Sequence, residues 1–216
     1  MTIAVVDYGM GNLRSVAKAL EHVAANQRVL ITSDPDEILR AERVVFPGQG
    51  AARDCMRELT ERNLADVVSL AAREKPFLGI CMGMQVLLKH SAENAGVDCM
   101  NLYDGEVRFF GNNLQNEQGE KLKIPHMGWN QVQQHVDHPV WHNIANNSRF
   151  YFVHSYYLDP EDRSLVMGTT THGITFVSAM GRNNVFAVQF HPEKSARDGL
   201  QLLKNFSRWK GTDKVI

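Results

Sequence analysis

Lys75-Pro-Phe-Leu-Gly-Ile-Cys81-Met-Gly-Met-Gln85 is the stretch on which the reading of this chain turns. Lys75-Pro76 stops the helix before it, because proline cannot continue one. Phe77–Ile80 is a short apolar run of buried-strand length, and Met82 to His90 reads as a helix directly after it. Between them, Gly79-Ile80-Cys81-Met82-Gly83 has the form glycine, any residue, nucleophile, any residue, glycine. A strand entering a helix through that pattern predicts a tight, strained turn that pushes the Cys81 side chain out at the end of a sheet. The helix N-terminus behind Cys81 favours a thiolate, and the Met82 N–H is a prospective oxyanion donor. Burial as a packing residue is the common lot of a free cysteine. The flanking glycines and the strand-to-helix position argue for chemistry instead. Cys55 and Cys99 have neither and read as structural.

Upstream, strand and helix signals alternate. Ile3–Asp7, Arg28–Thr32 and Arg43–Phe46 read as strands. Helices are expected over Leu13–Ala25, with Asn12 as cap, over Glu37–Ala41 after Ser33-Asp34-Pro35, and in one long run over Ala52–Glu74. Strands spaced by helices imply a parallel sheet with right-handed crossovers. Downstream the character changes. Val107–Phe110, Tyr151–Leu158, Leu165–Thr170, Thr175–Ala179 and Val185–Phe190 are short β-rich runs suited to hairpins, and Asn112–Gly119 is a polar loop. Ser195 opens a last helix to Lys210, which Gly211 stops. The expected fold is a single α/β domain over 1–216, its mixed, mostly parallel sheet flanked by helices, with added β-hairpins in the second half.

A cysteine nucleophile needs a base and a group to orient that base. Phe190-His191-Pro192-Glu193 follows the apolar strand that ends at Gln189, so His191 sits at a strand end, where α/β enzymes place their sites. Across rigid Pro192, the Glu193 carboxylate is within reach of one imidazole nitrogen while the other faces the thiol. A solvated surface turn is the bland alternative. His154 and His172 read as structural or contact residues. No cysteine or second histidine has metal-ligand spacing around His191, so no metal is expected.

The bulk numbers bound the function. Among 216 residues, 23 Lys and Arg face 24 Asp and Glu, for a net charge of −1, which provides no basic excess for nucleic acid or an anionic membrane. Three widely spaced cysteines without a C-x-x-C argue against a disulfide framework and for a reducing, cytoplasmic setting. The opening Met-Thr-Ile-Ala-Val-Val-Asp7 lacks the basic start of a signal peptide, and no apolar run approaches the roughly 20 residues of a membrane span. Gly9-Met10-Gly11 after the first strand suggests a dinucleotide loop, but Arg14 stands where that fingerprint needs its third glycine, so no cofactor is expected.

Gly79-Ile-Cys-Met-Gly-Met-Gln85 together with Phe190-His-Pro-Glu-Lys-Ser195 resembles the class I glutamine amidotransferases, across essentially the whole chain. The resemblance implies a flavodoxin-like sheet and a triad of Cys81 as nucleophile, His191 as base and Glu193 as orienter. It matches Pro47-Gly-Gln-Gly50 to an oxyanion strand, so that Gln49, Gly50 and Met82 would hold the tetrahedral oxygen. It also matches Gln85, Glu93, Gly50, Ser155 and Tyr156 to the glutamine pocket. Relatives often carry valine where Gln49 stands, a change that backbone donors tolerate. Asp7-Tyr-Gly-Met-Gly-Asn-Leu13, Pro125-His-Met-Gly-Trp-Asn130 and Tyr151-Phe-Val-His-Ser-Tyr156 narrow the likeness to the glutaminase subunits of imidazole glycerol phosphate synthases, enzymes of histidine biosynthesis. That implies ammonia released through a cysteine thioester and delivered to a cyclase subunit, a (β/α)8 barrel, in a heterodimer. Asn12, Met127, Gly128, Trp129, Asn130, Tyr151 and Lys194 match its interface positions. The length agrees, because such a barrel needs about 250 residues of its own. Alternative readings are a glutaminase subunit serving another synthase, such as one amidating a sugar, a free-standing cysteine hydrolase, and a binding module with a dead site.

Overall fold

The computed structural model describes residues 1–211, so the expected domain end over 212–216 lies outside the described residues. The first part runs β1 (Thr2–Val6), α1 (Leu13–Val23), β2 (Arg28–Thr32), α2 (Pro35–Arg40), β3 (Arg43–Gly48), α3 (Ala52–Glu61), α4 (Ala65–Glu74), β4 (Phe77–Cys81) and the one-turn α5 (Met82–Gln85). The second runs β5 (Leu88–Ser91), β6 (Val97–Asp98), β7 (Tyr103–Phe109), β8 (His126–Gln131), β9 (Gln133–Gln134), β10 (Arg149–His154), β11 (Tyr156–Pro160), β12 (Val166–His172), β13 (Ile174–Arg182), β14 (Val185–Val188) and α6 (Ala196–Arg208). Among the described residues no helix is long and apolar enough to cross a membrane.

One mixed sheet carries the fold, in the order β2-β1-β3-β4-β14-β13-β11-β7-β5-β6, with β12 and β9 attached beyond β13. β2, β1, β3, β4 and β14 are parallel, and β13, β11 and β7 continue antiparallel. Both faces of β1, β3, β4 and β14 are buried, so these strands are strongly apolar and their successive residues divide between two cores, whereas edge strand β2 stays partly exposed. Ile3 and Val5, Val45, Leu78 and Ile80, and Phe186 and Val188 face α1 and α6. Val6, Val44 and Phe46, Phe77, and Val185 and Ala187 face α2, α3 and α4. Leu202, Leu203 and Phe206 bring α6 onto the first core, each fully buried and contributing about 1.5–3 kcal/mol of apolar burial. β8 and β10 form a separate antiparallel ribbon.

Several expected boundaries move. The long helix over 52–74 is two helices. Asn63 takes a left-handed φ of 57°, and the Leu64 N–H bonds back to the Leu59 carbonyl, which closes α3 before α4 begins. The expected helix from Met82 to His90 ends at Gln85. Val86, Leu87 and Leu88 are fully buried, and the chain turns into β5, which pairs in parallel with β7. A buried apolar triplet fits helix or strand equally, and here the sheet captures it. The expected strand over 151–158 is broken at Ser155, between β10 in the ribbon and β11 in the main sheet. The last helix stops at Arg208, where buried Trp209 turns extended, ahead of Gly211. Asn12 makes no side-chain cap to α1, whereas Asp34 caps α2 by accepting from the Asp36 and Glu37 N–H groups.

Candidate active site

The elbow is dictated by contact between backbones. Cys81 ends β4 with φ 55° and ψ −111°, a conformation that costs a non-glycine residue about 1–3 kcal/mol and persists only where its surroundings enforce it. They do so through the two glycines. A Cβ on Gly83 would stand 1.9 Å from the Phe46 carbonyl oxygen, and one on Gly79 would stand 2.7 Å from the Gly83 carbonyl oxygen. α5 therefore packs directly on β3, and Cys81, 7% exposed, is turned toward a cavity of about 430 Å³. α5 is a single turn, so the expected help from a helix dipole reduces to its local N–H groups.

His191 follows β14 and is reached by the ribbon. Its N–H donates to the Tyr151 carbonyl at 2.9 Å, the Tyr151 N–H donates to Ser195 Oγ at 2.9 Å, and that hydroxyl donates to the His191 carbonyl at 2.6 Å. Ser195 thus locks the His191 backbone and does not cap α6. His191 Nδ1 lies 3.0 Å from Glu193 Oε1, and the two side chains are 2% and 1% exposed. Nε2 is buried without a partner at full hydrogen-bond geometry, as contacts to a reacting group often are before substrate binds. Burial disfavours the charged ring, but hydrogen bonding and charge from Cys81 and Glu193 outweigh it and raise the His191 pKa to about 10. A protonated imidazole against the sulfur favours a thiolate and stands ready to protonate a leaving amine.

Cys81, Met82, Gln49, Gly50, Gln85, Glu93, Ser155, Tyr156 and His191 all line this one cavity, and Glu193 stands behind His191. Lys194, expected at the interface, lies on the cavity rim as well. Gly50 takes φ +89° two residues after β3 ends. Glu93 accepts from the Ala52 N–H at 2.7 Å, supplying α3 with the cap that Ala51 lacks. The Gln85 amide nitrogen is already engaged, donating to the Tyr156 carbonyl at 3.2 Å and to Gln189 Oε1 at 2.9 Å. Asn12, Met127, Gly128, Trp129, Asn130 and Tyr151 do not line the cavity. On the ribbon, Met127 is 62% exposed and Trp129 44% exposed, and Tyr151 pairs across from Trp129 with its ring edge-on. Cys55 and Cys99 lie away from the cavity, where burial pushes their thiols to about 12 and about 11.

Three residues matter here that the sequence did not single out. Val153 and Pro125 line the cavity from inside motifs already quoted. Gln189 is fully buried and donates to Cys81 Sγ at 3.7 Å. In the sequence it reads only as the end of an apolar strand; a polar residue closing such a run, two residues before His191, is the available signal. His154, also on the cavity, belongs to a buried chain. Its Nδ1 donates to the Tyr156 carbonyl at 2.7 Å, and its Nε2 meets His126 Nδ1 at 2.9 Å. His126 Nε2 meets the Asn130 amide at 3.1 Å. Burial holds the His126 and His154 pKa values down at about 3 and about 4, so both rings are neutral. Among the described residues no group of three or more histidine, cysteine or carboxylate side chains is placed to hold a metal.

Comparison with known proteins places the chain in a family. The family model for Glutamine amidotransferase class-I matches residues 4–208. Proteins named imidazole glycerol phosphate synthase subunit HisH are similar along the whole length. The one from Pseudomonas putida is 58% identical, over 97% of this chain and 98% of its own. Those from Hydrogenovibrio crunogenus and Dechloromonas aromatica are 56% and 59% identical, each over 97% of both chains. Among solved structures, PurLQS from Thermotoga maritima has a TM-score of 0.65 at 20% identity over 95% of this chain and 96% of its own. A glutamine amidotransferase from the same organism has a TM-score of 0.59 at 18% identity over 92% and 78%. At such identities these two speak for the fold alone. A strained cysteine beside a buried His–Glu pair, on a chain matched from residue 4 to residue 208, makes this protein a member of the class-I glutamine amidotransferase family.

Proposed function

We propose that the chain is the glutaminase subunit of an imidazole glycerol phosphate synthase and hydrolyses L-glutamine to glutamate and ammonia for histidine biosynthesis. The observation that carries this is that Cys81 and His191 line one cavity, with the buried Glu193 carboxylate on the His191 ring, in a chain 55–59% identical to the HisH subunits. Residues 1–216 act as one domain, in the cytoplasm, without cofactor or metal.

The Cys81 sulfur attacks the carboxamide carbon of glutamine. The C–S bond forms as the carbonyl π electrons move to oxygen, where N–H groups of Met82 and of the Gln49-Gly50 strand stabilise the charge. His191 gives its proton to the nitrogen, the C–N bond breaks, and ammonia leaves a γ-glutamyl thioester. Water then adds as His191 takes its proton, and the C–S bond breaks to release glutamate. Glu193 fixes the imidazole's orientation and stabilises its charged form. Glu93, Gln85, Ser155 and Tyr156 hold the amino-acid end of glutamine.

The partner is a cyclase subunit with a (β/α)8 barrel. It forms a heterodimer by seating on the exposed Met127 and Trp129 side chains, and Gly128, Asn130, Tyr151, Asn12 and Lys194 contribute to the same interface. Large, rigid aromatic residues suit the centre of such an interface. The cyclase combines the ammonia with its own nucleotide substrate to form imidazole glycerol phosphate and an aminoimidazole carboxamide ribonucleotide. The test is glutamate release by the chain alone and with the cyclase, with and without cyclase ligand. Stimulation by the liganded partner, abolished in Cys81→Ala, is expected. Full activity alone points to an independent hydrolase, and Cys81→Ala at parental rate refutes the nucleophile.

A further inference from the structure

We infer that Gln189 is a positioning residue that holds the Cys81 sulfur by an N–H···S hydrogen bond, with the end of its amide that faces the sulfur set by Gln85 and the Tyr156 carbonyl. The inference rests on the reading of Cys81 as the nucleophile. The bond spans 3.7 Å from Gln189 Nε2 to Cys81 Sγ, and Gln189 is fully buried.

Side-chain amides are ambiguous by rotation, so the donor must be assigned from the network. Here a backbone group decides it. The Tyr156 carbonyl can only accept. It takes one hydrogen bond from His154 Nδ1 at 2.7 Å and another from Gln85 at 3.2 Å, so Gln85 must present its NH2 end. That same nitrogen lies 2.9 Å from the Gln189 amide, which must therefore present oxygen to it. The Gln189 NH2 is left pointing at the sulfur. Turning Gln189 around would set two donors against each other, and turning Gln85 as well would set its oxygen against the Tyr156 carbonyl. Both glutamines are buried, where an unpaired polar group costs about 1–3 kcal/mol, so neither flip is open.

A neutral donor fixed on sulfur has two effects. It restrains the rotation of the Cys81 side chain on the strained elbow. It also stabilises the thiolate more than the thiol, because hydrogen bonds to charged acceptors are the stronger ones. His191 approaches the nucleophile from one strand end and Gln189, two residues earlier, from within the protein, so one short segment supplies both the proton carrier and the sulfur's anchor.

The test is the pH dependence of Cys81 alkylation by iodoacetamide in the full chain, followed by peptide mass mapping that separates Cys81 from Cys55 and Cys99. It needs neither glutamine nor the cyclase. Gln189→Met removes the donor, and Gln189→Glu keeps the shape but offers a carboxylate. Both are expected to move the alkylation midpoint up by about one pH unit, and so to slow alkylation near pH 7 about tenfold. Gln85→Leu, which frees the Gln189 amide to turn, should give a smaller shift in the same direction. With its partner, Gln189→Glu should lose kcat with KM little changed. A midpoint unmoved in folded Gln189→Glu overturns the inference, whatever Gln189→Met does to stability; a purely structural role would lower the melting temperature and leave the midpoint alone. A shifted midpoint in a chain that releases no glutamate with any partner would keep the sulfur anchor and reject the glutaminase reading.

Discussion

Replacing Gly83 with alanine tests the elbow mechanically. The new Cβ would stand 1.9 Å from the Phe46 carbonyl oxygen and 2.9 Å from its carbonyl carbon. Real Cβ atoms essentially never come within 3.0 Å, so α5 and β3 would have to part by roughly 1 Å. Neither gives easily. Phe46 is fully buried, and its strand pairs with β4 from Val44↔Phe77 to Gly48↔Cys81. Overpacking such a site costs about 1–3 kcal/mol. Moving a reacting group by about 1 Å costs on the order of a hundredfold in rate. Gly83→Ala is therefore expected to lose about 2 kcal/mol or more in urea unfolding, and about a hundredfold in partner-stimulated glutamate release. Gly79→Ala, whose closest contact is 2.7 Å, needs only a few tenths of an ångström and should lose less of both. Gly119→Ala meets nothing within 4 Å, takes only the strain of φ +79°, and should keep its turnover. A Gly83→Ala protein with parental stability and turnover would refute the claim that backbone contact requires glycine there.

Glu193→Gln removes one of the two groups that raise His191, so the imidazole pKa should fall from about 10 toward its ordinary value, as read by NMR titration of the ring protons. A raised histidine pKa stabilises the fold fully below the unfolded value of about 6.5 and loses that contribution as pH rises through about 10, so parent and variant should differ most in stability near pH 6 and converge at high pH. His126 and His154 have the opposite sign: lowered to about 3 and about 4, they bind protons only when unfolded, so stability should fall by up to about 1.4 kcal/mol per histidine per pH unit as pH drops below about 6. His126→Gln should flatten that acid limb by about one proton, and an unchanged slope in acid-unfolding curves would reject the assignment. Trp129→Ala should weaken cyclase binding about tenfold or more by calorimetry while leaving the melting temperature near the parental one, because the ring is 44% exposed in the free chain.

The legible parts of this molecule are those where local chemistry and global fold agree. Phe77 to Gly83 has one reading, because the apolar run, the two glycines and the proline before it all require a strand that turns sharply. His191 and Glu193 meet because a proline between them leaves few other conformations. The less legible parts depend on distant partners. Nothing within 82–90 says that Leu88 will pair with Tyr103 and Glu106 with His90. The break at Ser155 depends on two sheets competing for one apolar run. The split between α3 and α4 was readable in principle, since Asn63 is the residue type that accepts a left-handed turn, but apolar periodicity continues across it. Gln189 was hidden because a buried polar residue declares its purpose only through its neighbours.

The ribbon of β8 and β10 has a mechanical consequence. One strand holds Met127 and Trp129 out toward solvent, while the other, at Tyr151, exchanges hydrogen bonds with the His191 backbone and the Ser195 hydroxyl. Two paired strands shear far less readily than they tilt as a unit. A load placed on the Trp129 edge is therefore borne where the His191 backbone is mounted, and the ribbon serves as a handle whose short arm ends on His191.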